Sequence, residues 1–264
     1  MEHTRNNQIQ EDNYNVFALL RNYLHRAAFG LDVADHPDDK ELFNHYFTKM
    51  IHKLDATEYY NNLYYKNIKI PTIKVGNSEL KYEKYQPFEG FVCNDIIQTK
   101  EGRQLPQIGF FETEFQFPAI LENNRIWMTI TPNEIETMKE PVNEAFGNVL
   151  TFGLGLGYYA YMVSEKDNVE SVTIVEMNED VIRLFKTYIL PQFKHAHKIT
   201  IIQADAFEFA ERHMAKEQYD FVFTDLWHDV SDGMNMYTRM KTYEKQSPNT
   251  IFSYWIEKSI ACYL

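Results

Sequence analysis

The chain has 264 residues, 44% of them hydrophobic, which is enough to bury a sizeable core in one large domain or two modest ones. Its 26 basic and 38 acidic side chains leave a net charge of -12, which argues against nucleic acid and anionic membrane surfaces as partners. Two cysteines, Cys93 and Cys262, are too few for a disulfide framework or a zinc site, and no run of about eighteen apolar residues could span a bilayer.

The first residues are polar and mixed in charge, without the apolar stretch of a secretory signal, so a cytoplasmic protein is expected. Val16, Phe17, Leu20, Tyr23, Leu24 and Ala27 share one helical face that Gly30 would end. A second helix is expected after Asp35-His36-Pro37, with Leu42, Phe43, Tyr46, Phe47, Met50, Ile51 and Leu54 as its apolar stripe. Residues 1–65 therefore read as a helical N-terminal segment. From 66 to 135 short extended runs replace the helical spacing, at Ile68–Val75, Phe88–Gln98, Ile108–Phe117 and Arg125–Thr131. Gly76-Asn77, Glu101-Gly102 and Asn123-Asn124 mark turns in this small β region, and Pro132-Asn133-Glu134 opens a helix.

Residues 136–264 alternate strand and helix, the pattern of an α/β, doubly wound, mostly parallel Rossmann-like sheet. Strands are expected at Val149–Phe152, Ser171–Glu176, Ile199–Gln203, Phe221–Asp225 and Ile251–Trp255, and helices beginning near Tyr158, Glu179, Ala206 and Gly233. The first strand runs into Gly153-Leu154-Gly155-Leu156-Gly157. Glycines at this spacing permit a sharp turn, a ligand against the main chain and close packing of the next helix. Glu176 ends the second strand about twenty residues further on, where such folds place an acid for ribose hydroxyls. The third strand leads to Ala204-Asp205-Ala206 and the fourth to Asp225-Leu226-Trp227-His228-Asp229, both at strand ends where open α/β sheets bind ligands. Glu176 and Asp205 also have helix-capping readings, and the acid-rich loop after Asp225 contains the ligand types of a divalent-metal site. Ligand types without geometry do not make a site, so no metal is assigned.

In this order the sequence resembles the S-adenosylmethionine-dependent methyltransferase fold, with a layout similar to the spermidine synthase family over residues 107–256. The resemblance implies that Gly153, Gly155 and Gly157 cradle the methionine part of S-adenosylmethionine. It implies that Glu176 holds the ribose, that Asp205 with Ala206 meets the adenine, and that Asp225 is the first acid of the active-site loop. Glu134 falls at an Asp-Glu position of aminopropyltransferases. Three features depart from that family: Leu156 replaces an acid within the glycine loop, a Tyr-His-Glu triplet is absent, and the loop after Asp225 carries Trp227 and His228.

The resulting expectation is an S-adenosylmethionine-binding transferase, a methyltransferase acting on a small-molecule acceptor, with Asp225, His228 and Asp229 as candidate bases and Trp227 and Tyr158 as pocket walls. Aminopropyl transfer from the decarboxylated cofactor is one alternative, and a non-catalytic cofactor-binding interaction module another. The sheet ends soon after its fifth strand, so a covered sheet edge or a homodimer is expected.

Overall fold

The computed structural model describes residues 40, 45, 49–100 and 102–264. The expected helix over Val16–Ala27 and most of the stripe beginning at Leu42 lie outside these residues. The first elements are β1 (Ile51–Lys53), α1 (Ala56–Tyr60), α2 (Leu63–Asn67), β2 (Ile73–Val75), β3 (Ser78–Tyr85), β4 (Phe91–Gln98), β5 (Gln104–Phe110), β6 (Phe115–Glu122) and β7 (Arg125–Thr129). There follow α3 (Pro132–Thr137), α4 (Lys139–Glu144), β8 (Gly147–Phe152), α5 (Tyr158–Ser164), β9 (Val169–Glu176), α6 (Glu179–Leu184) and β10 (Ile199–Gln203). The last are α7 (Ala206–Arg212), β11 (Phe221–Thr224), α8 (Val230–Lys241), β12 (Ile251–Tyr254) and α9 (Glu257–Ala261).

The chain forms two compact units. One holds the described residues up to Tyr59 together with Lys84–Gln116, and the other holds Tyr60–Glu83 and Phe117–Leu264. In the first unit β1, β5 and β4 form a three-stranded sheet, β1 parallel and β4 antiparallel to the central β5. Ile51, expected on a helix, lies in β1 opposite Ile108. The rings of Tyr59, Phe111 and Phe115 pack on one another, with Phe111 and Phe115 stacked at 4.4 Å.

The second unit carries a four-stranded sheet in the order β2-β3-β6-β7 and a five-stranded sheet in the order β10-β9-β8-β11-β12. Every pair in the larger sheet is parallel. All five strands coincide with the apolar runs expected from the sequence, because a parallel sheet covered by helices buries both faces of its central strands. Val149, Leu150 and Phe152 of β8 and all four residues of β11 are buried. The strand order reverses at β8, which lies between β9 and β11, so the crevice at the C-terminal ends of these three strands is where this architecture admits a ligand.

Four local differences from the expected elements have simple causes. α8 begins at Val230 because Asp229 caps it, its carboxylate accepting from the Ser231 N–H at 2.7 Å. The run expected over Ile108–Phe117 is broken between β5 and β6. Part of the run from Ile68 is not strand, since pairing starts only at Ile73. β3 went unpredicted, because Glu79 and Lys81 alternate with its only buried residues, Ser78 and Leu80.

Candidate functional site

The ends of β8, β9 and β11 are locked together by main-chain bonds. The Gly153 N–H donates to the Val175 carbonyl at 3.0 Å and the Asp225 N–H to the Phe152 carbonyl at 2.9 Å. The three glycines of the following loop all have positive φ, at 95°, 53° and 74° for Gly153, Gly155 and Gly157, but for different reasons. A Cβ at Gly153 would lie 2.0 Å from the Asp225 carbonyl oxygen, and one at Gly157 would lie 2.2 Å from the Phe185 ring. A Cβ at Gly155 would meet nothing within 4 Å. Gly153 and Gly157 thus serve close packing, and Gly155 presents bare main chain to open space.

That space is a cavity of about 620 Å³. Gly153, Gly155, Glu176, Asp225 and His228 line it, as do the expected walls Tyr158 and Trp227. Glu176 is buried, and its carboxylate accepts from the Leu154 N–H at 3.2 Å and the Asn178 N–H at 2.8 Å. It therefore ties the glycine loop to the end of β9 and still borders the cavity.

Asp225 lies at the floor of the cavity, and no hydrogen bond to its carboxylate is found among the described residues. Burial, reinforced by the negative charge of Glu134, raises its pKa to about 7. Glu134 completes the capping box of α3, whose N-cap is Thr131, accepting from the Thr131 N–H at 2.8 Å and the Thr129 hydroxyl at 3.0 Å.

The other candidate bases have different surroundings. Asp229 is engaged by Ser231, whose hydroxyl and N–H hold its carboxyl below the usual range. It is not among the lining residues. His228 is exposed at the rim, its Nδ1 3.1 Å from Asp232 and its ring edge-on to Trp127 with centroids 4.0 Å apart. Asp205 caps α7, accepting from the Glu208 N–H at 2.8 Å, and neither it nor Ala206 or Gly157 lines the cavity.

One wall consists of Ile126, Trp127, Met128, Thr129 and Ile130 along and just after β7, a run that the sequence marks only as the approach to the five-stranded unit and not as a pocket lining. An extended run with bulky residues on both faces was the available signal. The described lining residues include four carboxylates, those of Glu122, Glu134, Glu176 and Asp225, and no Lys or Arg. Two wall residues keep a buried polar atom without a hydrogen-bond partner, the Tyr159 hydroxyl and the Trp227 indole N–H. Among the described residues no group of three or more His, Cys, Asp or Glu side chains is arranged to hold a metal, and no helix is long and apolar enough to cross a membrane.

These features fit an adenosyl sulfonium. Gly155 leaves room against the main chain, Glu176 stands at the second strand end, and the acidic lining suits a cation.

No curated protein matches the chain. Among solved structures, a spermidine synthase from Thermotoga maritima is 18% identical with a TM-score of 0.36, the match covering 53% of each chain. A protein described as an O-methyltransferase from Klebsiella pneumoniae is 13% identical with a TM-score of 0.29, the match covering 36% of this chain and 43% of that one. The chain thus spans about half or less of the length of these structures. Residues 136–247, which include four of the five strands of the parallel sheet, match the family model of the spermine/spermidine synthase domain, and the sheet itself has the Rossmann-like parallel arrangement.

Proposed function

We propose that the protein is a transferase that binds an S-adenosylmethionine-type sulfonium and moves an alkyl group from it to a small amine, with methyl transfer as the first reading. The observation that carries the proposal is the convergence of Gly155, Glu176 and Asp225 on one cavity at the reversal point of the sheet. When bound, the sulfonium supplies an activated carbon, and the chain has to align the acceptor, exclude water and take up a proton.

Asp225 is the first choice for that proton. Its carboxyl, raised to about 7, is close to the operating pH and so effective as a base. An acceptor that arrives as an ammonium ion first gives a proton to the Asp225 carboxylate, and the freed nitrogen lone pair then bonds to the carbon as the carbon–sulfur bond breaks, leaving the alkylated nitrogen cationic and the sulfur a neutral thioether. Glu134 places a second negative charge nearby, which favours an ammonium ion on arrival. His228, at the rim, is the second candidate. Glu176 and the loop main chain hold the nucleoside side.

Aminopropyl transfer from a decarboxylated donor is the second reading, supported by the absence of Lys or Arg among the described lining residues, where the intact cofactor would bring a carboxylate. The test incubates the protein with each donor and an amine panel and identifies the nucleoside product by mass spectrometry. S-adenosylhomocysteine is the expected product, methylthioadenosine would support the second reading, and tight donor binding with no product on any amine would favour a non-catalytic module.

A further inference from the structure

We propose that the mouth of the cavity selects an acceptor whose amine carries an apolar, ring-bearing substituent, and that Trp127 is the residue that sets this preference. The inference rests on the transferase reading and adds the class of acceptor.

β7 is the outer strand of its four-stranded sheet. Ile126 and Trp127 on it are 54% and 42% exposed, yet both line the cavity. Across from them the chain leaving β11 supplies Leu226 and His228, and the His228 ring meets Trp127 edge-on at 4.0 Å. The cavity therefore has two chemically distinct zones. Its floor presents Asp225 and Glu134, a place for one ammonium ion. Its mouth presents aliphatic and aromatic surface that water now covers, at a cost that a flat apolar group would relieve.

Glu176 does not compete for the acceptor, since two main-chain N–H groups hold it on the loop side. Glu122, at the end of β6, is the other lining acid, and a linear diamine could use it for a second cation. The two classes of amine thus make opposite predictions at Trp127. A ring-bearing monoamine gains from the indole by stacking and area burial, whereas a diamine relies on carboxylates and gains little from apolar surface.

Isothermal titration of the full chain with 2-phenylethylamine and with 1,4-diaminobutane, each with and without S-adenosylhomocysteine, separates them. The wild type is expected to bind 2-phenylethylamine on the order of tenfold more tightly than the diamine. Trp127→Ala should abolish that preference while leaving S-adenosylhomocysteine binding in place, and Trp127→Phe should restore most of it. Equal or tighter binding of the diamine by the wild type, or an unchanged preference in Trp127→Ala, overturns the proposal. Failure of S-adenosylhomocysteine to bind the wild type instead counts against the transferase reading, and the amine titrations still decide the acceptor class.

Discussion

Placing alanine at Gly155 and, separately, at Gly153 should separate ligand space from folding. Both positions have positive φ, so each substitution costs about 1–2 kcal/mol in backbone strain. At Gly155 nothing is added to that cost, because the new methyl group meets no atom within 4 Å. At Gly153 the methyl group would lie 2.0 Å from the Asp225 carbonyl oxygen, and main chain cannot rotate away as a side chain can. The end of β11 would have to shift, disturbing the Asp225 N–H bond to Phe152 and the Gly153 N–H bond to Val175. At about 1 kcal/mol or more for each, the total for Gly153→Ala reaches about 3–5 kcal/mol. That is a large share of the roughly 5–15 kcal/mol that holds a typical domain together. Urea unfolding measures the stability difference, and calorimetric titration with S-adenosylhomocysteine measures binding. Gly155→Ala is expected to fold and to lose at least about tenfold in affinity, equivalent to roughly 1.4 kcal/mol. Wild-type affinity in Gly155→Ala, or equal stability of the two variants, would refute the assignment of Gly155 to ligand space and Gly153 to packing.

Glu176→Ala should weaken S-adenosylhomocysteine binding by about 1.5–3 kcal/mol, the range for losing a charged hydrogen-bond partner, as read by calorimetry. Because the folded state holds the Asp225 proton up to about pH 7 while the unfolded chain releases it in the ordinary carboxylate range, this group's contribution to stability is fully present at low pH and is lost as pH rises through about 7. Asp225→Asn should therefore show a higher urea midpoint than wild type at pH 8 and a smaller advantage at pH 5. The same titration predicts that wild-type turnover rises with pH through about 7 as the base form appears, and that a pH–rate profile of Asp225→Asn lacks this limb. If His228 is the base instead, His228→Ala costs roughly two to four powers of ten in turnover with nucleoside affinity nearly intact. If it serves only the rim, turnover at saturating acceptor changes little.

The five-stranded sheet was legible because each strand is an apolar run between capping or turn residues, and Asn178 and Asp205 mark the starts of α6 and α7 by their side-chain bonds to the first turn. The floor of the cavity was legible for a related reason: Gly153, Glu176 and Asp225 stand at or just beyond strand ends, and in a doubly wound sheet those positions converge. The mouth was not. Trp127 and Ile126 lie far in sequence from the glycine loop, and only the pairing of β6 with β7 brings their strand into place. Asp229 illustrates the opposite error, since an acid in a loop looks available for chemistry until its hydrogen bonds to Ser231 are known. β3 escaped notice because its charged outward residues hide the inward pair Ser78 and Leu80.

Behind the glycine loop, the segment around α2 is fastened to it from far upstream. The Tyr64 hydroxyl donates to the Leu156 carbonyl at 2.7 Å, and the Asn62 and Asn67 amides donate to the Tyr158 and Tyr161 hydroxyls at 2.9 and 2.8 Å. These three contacts span 92, 96 and 94 residues of chain. Contacts so distant in sequence require closing a long loop before they stabilise anything, so they form late in folding compared with local turns. The βαβ core can assemble first, but the loop becomes set only when this remote segment docks. In a refolding experiment the ability to retain a nucleoside should consequently emerge after most of the helical and sheet signal, and a fragment starting at residue 136 should recover secondary structure more completely than binding.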